Sequence, residues 1–196
     1  MSNSTSDVEA LVNSADFGER IRGINQLRNI DPAVAYELIK PLVTDDNARI
    51  RYAAISQLDP LGQQNPEEAL AILRDRLMND SEVDVKGAAA DALGGLGLTA
   101  GFEDLVAAYQ GTSEWLLQMS IVAALGSLGD LRAVDLLLVA LQSDVDLVKT
   151  TAISALGDLG DLRALDPLLE FVTDSDWQIR YRLAQALQKL NADSAL

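Results

Sequence analysis

The sequence predicts an all-α solenoid of six helix pairs, and three observations carry the prediction. A long polar residue stands seven positions before a leucine six times over: Arg20/Leu27, Arg51/Leu58, Lys86/Leu93, Gln118/Leu125, Lys149/Leu156 and Arg180/Leu187. These markers recur at intervals of 31, 35, 32, 31 and 31 residues, a period at which one supersecondary unit stacks on the next. Strand signals are missing, with no β-branched alternation and no Asn-Gly or Asp-Gly hairpin. The pairs fall near 7–30, 31–60, 65–98, 101–129, 131–160 and 162–191, and 1–196 reads as a single repeat domain.

The first pair is the weakest, because its opening helix, about Val8 to Asn13, is short. Pair two starts with Pro32 in a first turn, where a missing N–H is harmless. Its central turn, Thr44-Asp45-Asp46-Asn47, is rich in side chains that cap the helix behind them. The segment Asp59-Pro60-Leu61-Gly62-Gln63-Gln64-Asn65 reads as a longer connection and accounts for the 35-residue interval. Pair three opens on Pro66, turns at Asn79-Asp80-Ser81 and carries the small face Ala88-Ala89-Ala90. Pair four turns at Gly111-Thr112-Ser113 and repeats the small face at Ala123-Ala124.

Pairs five and six are near-duplicates. Their first helices show helical apolar spacing, at Val134, Leu137, Leu138, Leu141 and at Leu165, Leu168, Leu169, Val172, with Pro167 early in the second. Their turns are Ser143-Asp144 and Thr173-Asp174-Ser175. Both are preceded by Leu-Gly-Asp-Leu-Arg-Ala, at 128–133 and 159–164, where glycine stops one helix and aspartate caps the next. Gly94, Gly97, Gly126, Gly129, Gly157 and Gly160 are all read as second-helix terminators.

Composition narrows the chemistry. There is no cysteine and no histidine, which removes thiolate nucleophiles, the commonest metal ligand and the commonest general base. Thirty acids against fifteen bases give a net charge of −15, spread over both halves of the chain. Such a chain repels nucleic acid and anionic lipid. No apolar run is long enough to span a membrane. Residues 1–6 lack the pattern of a signal peptide, so the expectation is a cytoplasmic protein in which the sequon Asn3-Ser4-Thr5 has no role. Gly94-Gly95-Leu96-Gly97 follows a helix, so it reads as chain-reversal punctuation and not as a phosphate loop.

The turn Asp followed by Val/Ile-Arg, the Ala-Ala pairs and Leu-Gly-x-Leu-Gly-Asp resemble HEAT repeats, over nearly the whole chain. Within that class the chain resembles the phycobilisome-lyase-type HEAT proteins of cyanobacteria. The segment Ser175-Asp176-Trp177-Gln178-Ile179-Arg180-Tyr181-Arg182 is similar to the Asp-Trp-x-Val/Ile-Arg-Tyr segments of phycocyanobilin lyase subunits and their non-lyase relatives. The non-bleaching B type, tied to phycobilisome degradation, is the most similar in wording. The resemblance implies a right-handed superhelix. It also implies a ladder of turn aspartates and marker cations between units: Asp46 with Arg51, Asp80 or Asp84 with Lys86, Asp144 with Lys149, Asp174 with Arg180. Ala15 breaks the ladder in the first unit, and Ser113 with Gln118 breaks it in the fourth.

In HEAT-like arrays the second helices line the concave face. Residues three before and one after each marker share a stripe there, because they lie four apart. That stripe holds Phe17/Ile21, Ala48/Tyr52, Val83/Gly87, Trp115/Met119, Asp146/Thr150 and Trp177/Tyr181, including both tryptophans of the chain. Tyr and Trp suit a contact surface, having an apolar body and a polar tip. The expected binding residues are therefore Tyr52, Trp115, Met119, Trp177 and Tyr181, with Arg49, Arg51, Arg180 and Arg182 as carboxylate partners.

Three readings follow. The resemblance implies a non-enzymatic scaffold that binds phycobiliprotein subunits, or an open-chain tetrapyrrole as ligand, with no resident cofactor and no catalytic residue. It implies alternatively a subunit of a heterodimeric phycocyanobilin lyase, for which Asp176 and Tyr181 are the acid–base candidates. The third is a HEAT scaffold for other protein partners. An end pair with exposed apolar surface would favour self-association into a homo-oligomer.

Overall fold

The computed structural model describes residues 4–193, with side chains through Leu190. The sequon's Asn3 lies outside the described residues. Among the described residues there are twelve α-helices and no strand, which makes the protein an α-solenoid of helix pairs. The chain divides into two compact units, with the boundary between Leu98 and Thr99.

The first unit contains α1 (Thr5–Val12) with α2 (Phe17–Gln26), α3 (Pro32–Ile39) with α4 (Ala48–Leu61), and α5 (Pro66–Asn79) with α6 (Val83–Gly95). The second contains α7 (Phe102–Gln110) with α8 (Trp115–Leu128), α9 (Val134–Ala140) with α10 (Asp146–Leu159), and α11 (Leu165–Leu169) with α12 (Trp177–Asp193). Within each unit the second helices pack on one another. In unit one α4 lies against α2 and α6, and in unit two α10 lies between α8 and α12. First helices flank their own partners. The marker leucines Leu27, Leu58, Leu93, Leu125 and Leu156 are fully buried at the centre of this packing.

One bond recurs in all six turns. The side chain six positions before the marker accepts the N–H two residues on: Ser14 from Asp16, Asp45 from Asn47, Asp80 from Glu82, Thr112 from Glu114, Ser143 from Val145 and Asp174 from Asp176. This side-chain turn, and not a helix N-cap, is why these positions are Ser, Thr or Asp. Capping is a separate job. Asp16, Asn47 and Asp176 accept from the first turns of α2, α4 and α12, whereas α6, α8 and α10 have no side-chain cap.

Glycine divides into two roles. Gly97, Gly129 and Gly160 take φ of +65°, +68° and +68° and end their helices as expected. Gly94, Gly126 and Gly157 lie inside helices. A Cβ on Gly126 would meet the Ala155 Cβ at 2.7 Å, and one on Gly157 would meet the Ala186 Cα at 2.6 Å. These two glycines therefore permit close approach of α8 to α10 and of α10 to α12. Pro60 also departs from expectation, since it lies within α4 and not in a connection. Its missing N–H would have served the carbonyl of Ser56, an exposed residue that solvent can satisfy.

The ladder exists, but its register differs from the expected one. Arg51 donates Nε and Nη2 to the two oxygens of Asp80, both at 2.8 Å, so the marker of one pair grips the turn of the next. Arg20 likewise reaches Asp45 in the turn of the next pair, through Nη1 alone. Asp46 offers Arg51 only its main-chain carbonyl, alongside that of Asp45. In unit two the markers bond locally: Gln118 to the Thr112 carbonyl, Lys149 to Asp146, and Arg180 to the carbonyls of Asp174 and Ser175.

Candidate functional site

Helix α12 begins at Trp177 and α8 begins at Trp115, the same repeat position in each pair. Both helices pack against α10, which lies between them. Nothing in the repeat core requires them there. Trp115 is 42% exposed and Trp177 64% exposed. One turn along α12, Tyr181 is 55% exposed, and its hydroxyl accepts a hydrogen bond from Gln185 Nε2 at 3.2 Å. Met119, one turn along α8, is half-buried.

Between the rings, α10 presents small polar groups. Asp146 is exposed and pairs with Lys149 at 3.4 Å. Thr150 turns its hydroxyl back to the Asp146 carbonyl at 2.8 Å, and Ser154 repeats the bond one turn on. The stripe positions of α10 thus form a polar floor of short side chains, where the positions of α8 and α12 that match Asp146 are tryptophan.

The expected site residues divide between the two units. Tyr52 and Arg49 belong to unit one, both exposed on α4. Tyr52 borders a small cleft of about 200 Å³ with Ser56, Asp59 and Asp91. Arg51 is a correction. Its side chain is 11% exposed and that of its partner Asp80 1% exposed, so it is a stacking residue and is not available to a ligand. Burial alone pushes the Asp80 carboxyl up. The Arg51 hydrogen bonds, the Glu82 N–H and the charges of Arg51 and Arg76 outweigh it and hold the carboxyl below its usual range. Arg180 stays exposed, with Nη1 fixed on its own turn.

Arg182 is exposed and lines a cleft of about 580 Å³ between α10 and α12 together with Ser154, Asp158, Gln185 and Lys189. Sequence reasoning missed the last four. The signal was present: continuing the four-residue spacing past Thr150 and Tyr181 reaches Ser154 and Asp158 on α10, and Gln185 and Lys189 on α12. Asp176, the alternative acid–base candidate, is committed to the Gln178 N–H at 2.8 Å as the helix cap. Among the described residues no group of three or more acidic side chains could hold a metal ion. No described helix is long and apolar enough to cross a membrane.

A profile for HEAT repeats matches residues 8–94, 73–157 and 102–188. Among curated proteins none matches the chain in sequence. Among solved structures, the complex of CpcE and CpcF of phycocyanin lyase from Nostoc sp. PCC7120 is similar, with 18% identity and a TM-score of 0.74 over 98% of this chain and 79% of that one. A designed armadillo repeat protein aligns at 17% identity and a TM-score of 0.66, over 96% of this chain and all of the other. A computationally designed armadillo repeat protein for modular peptide recognition aligns at 16% identity and a TM-score of 0.60, again over 96% and 100%.

Proposed function

The chain belongs to the HEAT-repeat family, and from that premise we propose that it is a non-enzymatic scaffold that binds phycobiliproteins in the turnover of the phycobilisome. The observation that carries the reading is the pair of exposed tryptophans at one repeat position of unit two, with Tyr181 beside the second. Large amphipathic rings held open on a rigid layer are the usual anchors of a protein contact. The Asp176 to Tyr181 wording and the structural likeness to the lyase complex support a phycobiliprotein as the partner. An open-chain tetrapyrrole is the second ligand the same floor could accept, its ring system against Trp177 and its carboxylates toward Arg182. Capture of phycocyanin on the immobilised protein tests the reading. The double substitution Trp177→Ala with Tyr181→Ala should abolish capture at unchanged helicity. Retained capture would remove the site from this stripe.

The likeness to the lyase complex, which spans nearly the whole chain, favours one alternative, a subunit of a two-chain bilin lyase. The candidate side chains are poorly placed for that role, since Asp176 is a helix cap. Co-expression with apo-phycocyanin, phycocyanobilin and a second HEAT-type chain separates the readings. A covalent adduct that requires this chain would establish the lyase, and no adduct with any partner would leave the scaffold.

A further inference from the structure

Unit two concentrates its positive charge on the helix that carries the exposed rings. The chain has a net charge of −15, and residues 101–196 contain six basic side chains, yet Arg180, Arg182 and Lys189 all lie on α12. The one acid of that helix is Asp193, at its far end. Of the three cations, Arg180 is fixed on the carbonyls of its own turn. Lys189 pairs with Asp158 across the cleft. Arg182 donates to a neutral acceptor, Gln185 Oε1, at 3.3 Å.

The cleft that Arg182 and Lys189 line differs from its counterpart in the other unit. Its counterpart in unit one, between α4 and α6, is lined by Tyr52, Ser56, Asp59 and Asp91, and the repeat positions that match Arg182 and Lys189 are Ala88 and Gly95. The charged lining in unit one is carboxylate alone, whereas unit two sets two cations against the single carboxylate of Asp158. In unit two the cleft is also continuous with the aromatic stripe. Trp177, Tyr181, Gln185 and Lys189 follow at four-residue steps along one face of α12, a line of about 18 Å at 1.5 Å per residue.

We infer that this cleft is a carboxylate subsite for an acidic helix of a partner protein, which anchors its apolar side chains on Trp177 and Tyr181. The inference rests on the reading of that stripe as a protein contact and names the partner's chemistry. A helix lying along α12 would place a first carboxylate beside its apolar anchor, where Arg182 follows Tyr181, and a second about two turns, or roughly 11 Å, further on, where Lys189 stands. Arg182 would meet the first with a two-point hydrogen-bonded pair, and Lys189 the second by exchanging Asp158 for the partner.

The probe is a fluorescein-labelled synthetic helical peptide with two leucines on one face and three glutamates spread over the two turns that follow them. A second peptide has glutamines in their place. Anisotropy titration should show the glutamate peptide binding about tenfold tighter or more, with the difference erased at high salt. Arg182→Glu should erase it at low salt too, and Lys189→Gln should reduce it, both with unaltered thermal melts. Equal binding of the two peptides, binding of neither, or full discrimination by Arg182→Glu would overturn the inference. If phycocyanin is still captured through Trp177 and Tyr181 in that case, only the subsite fails. Displacement of both peptides alike by phycocyanobilin would assign the cations to pigment and also overturn it.

Discussion

Replacing Asp80 by Asn tests whether the ladder in unit one holds the stack together. The asparagine keeps the turn, because its oxygen can still accept the Glu82 N–H as Asp80 does at 3.0 Å. It removes the charge that faces Arg51 through two bonds of 2.8 Å and Arg76 through one of 3.3 Å. Arg51 is then left without its paired carboxylate, while Arg76 keeps Asp75, in a place where the Asp80 side chain is 1% exposed. Breaking such a buried pair from one side costs about 3–5 kcal/mol, which for a chain of this size lowers the melting temperature by roughly 6–20 °C. Urea titration by circular dichroism at neutral pH is the assay. The pH dependence adds a signature. Asp80 has a folded pKa below its unfolded value, so its contribution is complete above the unfolded value of about 3.9 and is lost as pH falls through the folded value. The gap between the two proteins should hold from neutral pH to about 4 and close below that. A change under about 1 kcal/mol at pH 7, the size expected of an exposed pair, would refute the reasoning.

Gly126→Ala or Gly157→Ala should destabilise by about 1–3 kcal/mol through overpacking, against the gain that Ala brings at an open helical position, because the new Cβ meets Ala155 or Ala186 within 2.7 Å. Arg163→Ala should shift the urea midpoint by less than the equivalent of about 1 kcal/mol, since its pairs with Asp161 and Asp135 are solvent-exposed. Tyr36, its phenol raised to about 12 by burial and then by Glu68, should titrate late when absorbance is followed into alkali. Its contribution to stability is complete below about 10 and is lost as pH rises through 12.

The repeat was legible because it is written in positions whose chemistry has one solution. A marker leucine at the centre of each pair and a Ser, Thr or Asp six residues before the marker suffice to locate every second helix. The errors arose where one residue type serves two purposes. Gly126 and Gly129 look alike in sequence, yet one permits a helix contact and the other a positive φ. Asp45 and Asp46 are adjacent, and only the three-dimensional step from one pair to the next shows that Asp45 answers Arg20 while Asp46 lends Arg51 a carbonyl. Of the site, the rings were legible from their spacing. The cleft was legible only as a continuation of that spacing along each helix, because Arg182 and Lys189 on α12 become neighbours of Ser154 and Asp158 only when α10 packs alongside.

The two units join their second helices by different physics, and this bears on where a partner can bind. In unit one the stack uses charge: Arg20 and Arg51 reach forward to Asp45 and Asp80, and those arginines are withdrawn from the surface. In unit two the corresponding turn positions are Thr112 and Ser143 in the first two pairs, which cannot answer a cation with a carboxylate. Closeness replaces charge there, with Gly126 against Ala155 and Gly157 against Ala186. Glycine and alanine contacts draw the backbones together and leave the arginines of α12 uncommitted to the stack, while Lys189 pairs with Asp158 of α10. A helix that needs no arginine for stacking can spend its arginines elsewhere, and α12 sets Arg182 and Lys189 beside the two most exposed aromatic rings of the described chain. The substitution of small residues for the ladder is therefore the structural condition for a charged, ring-bearing contact face in unit two. It predicts that restoring an acid at Ser143 would not be neutral for that face, because Gln118 would still offer no charge to meet it.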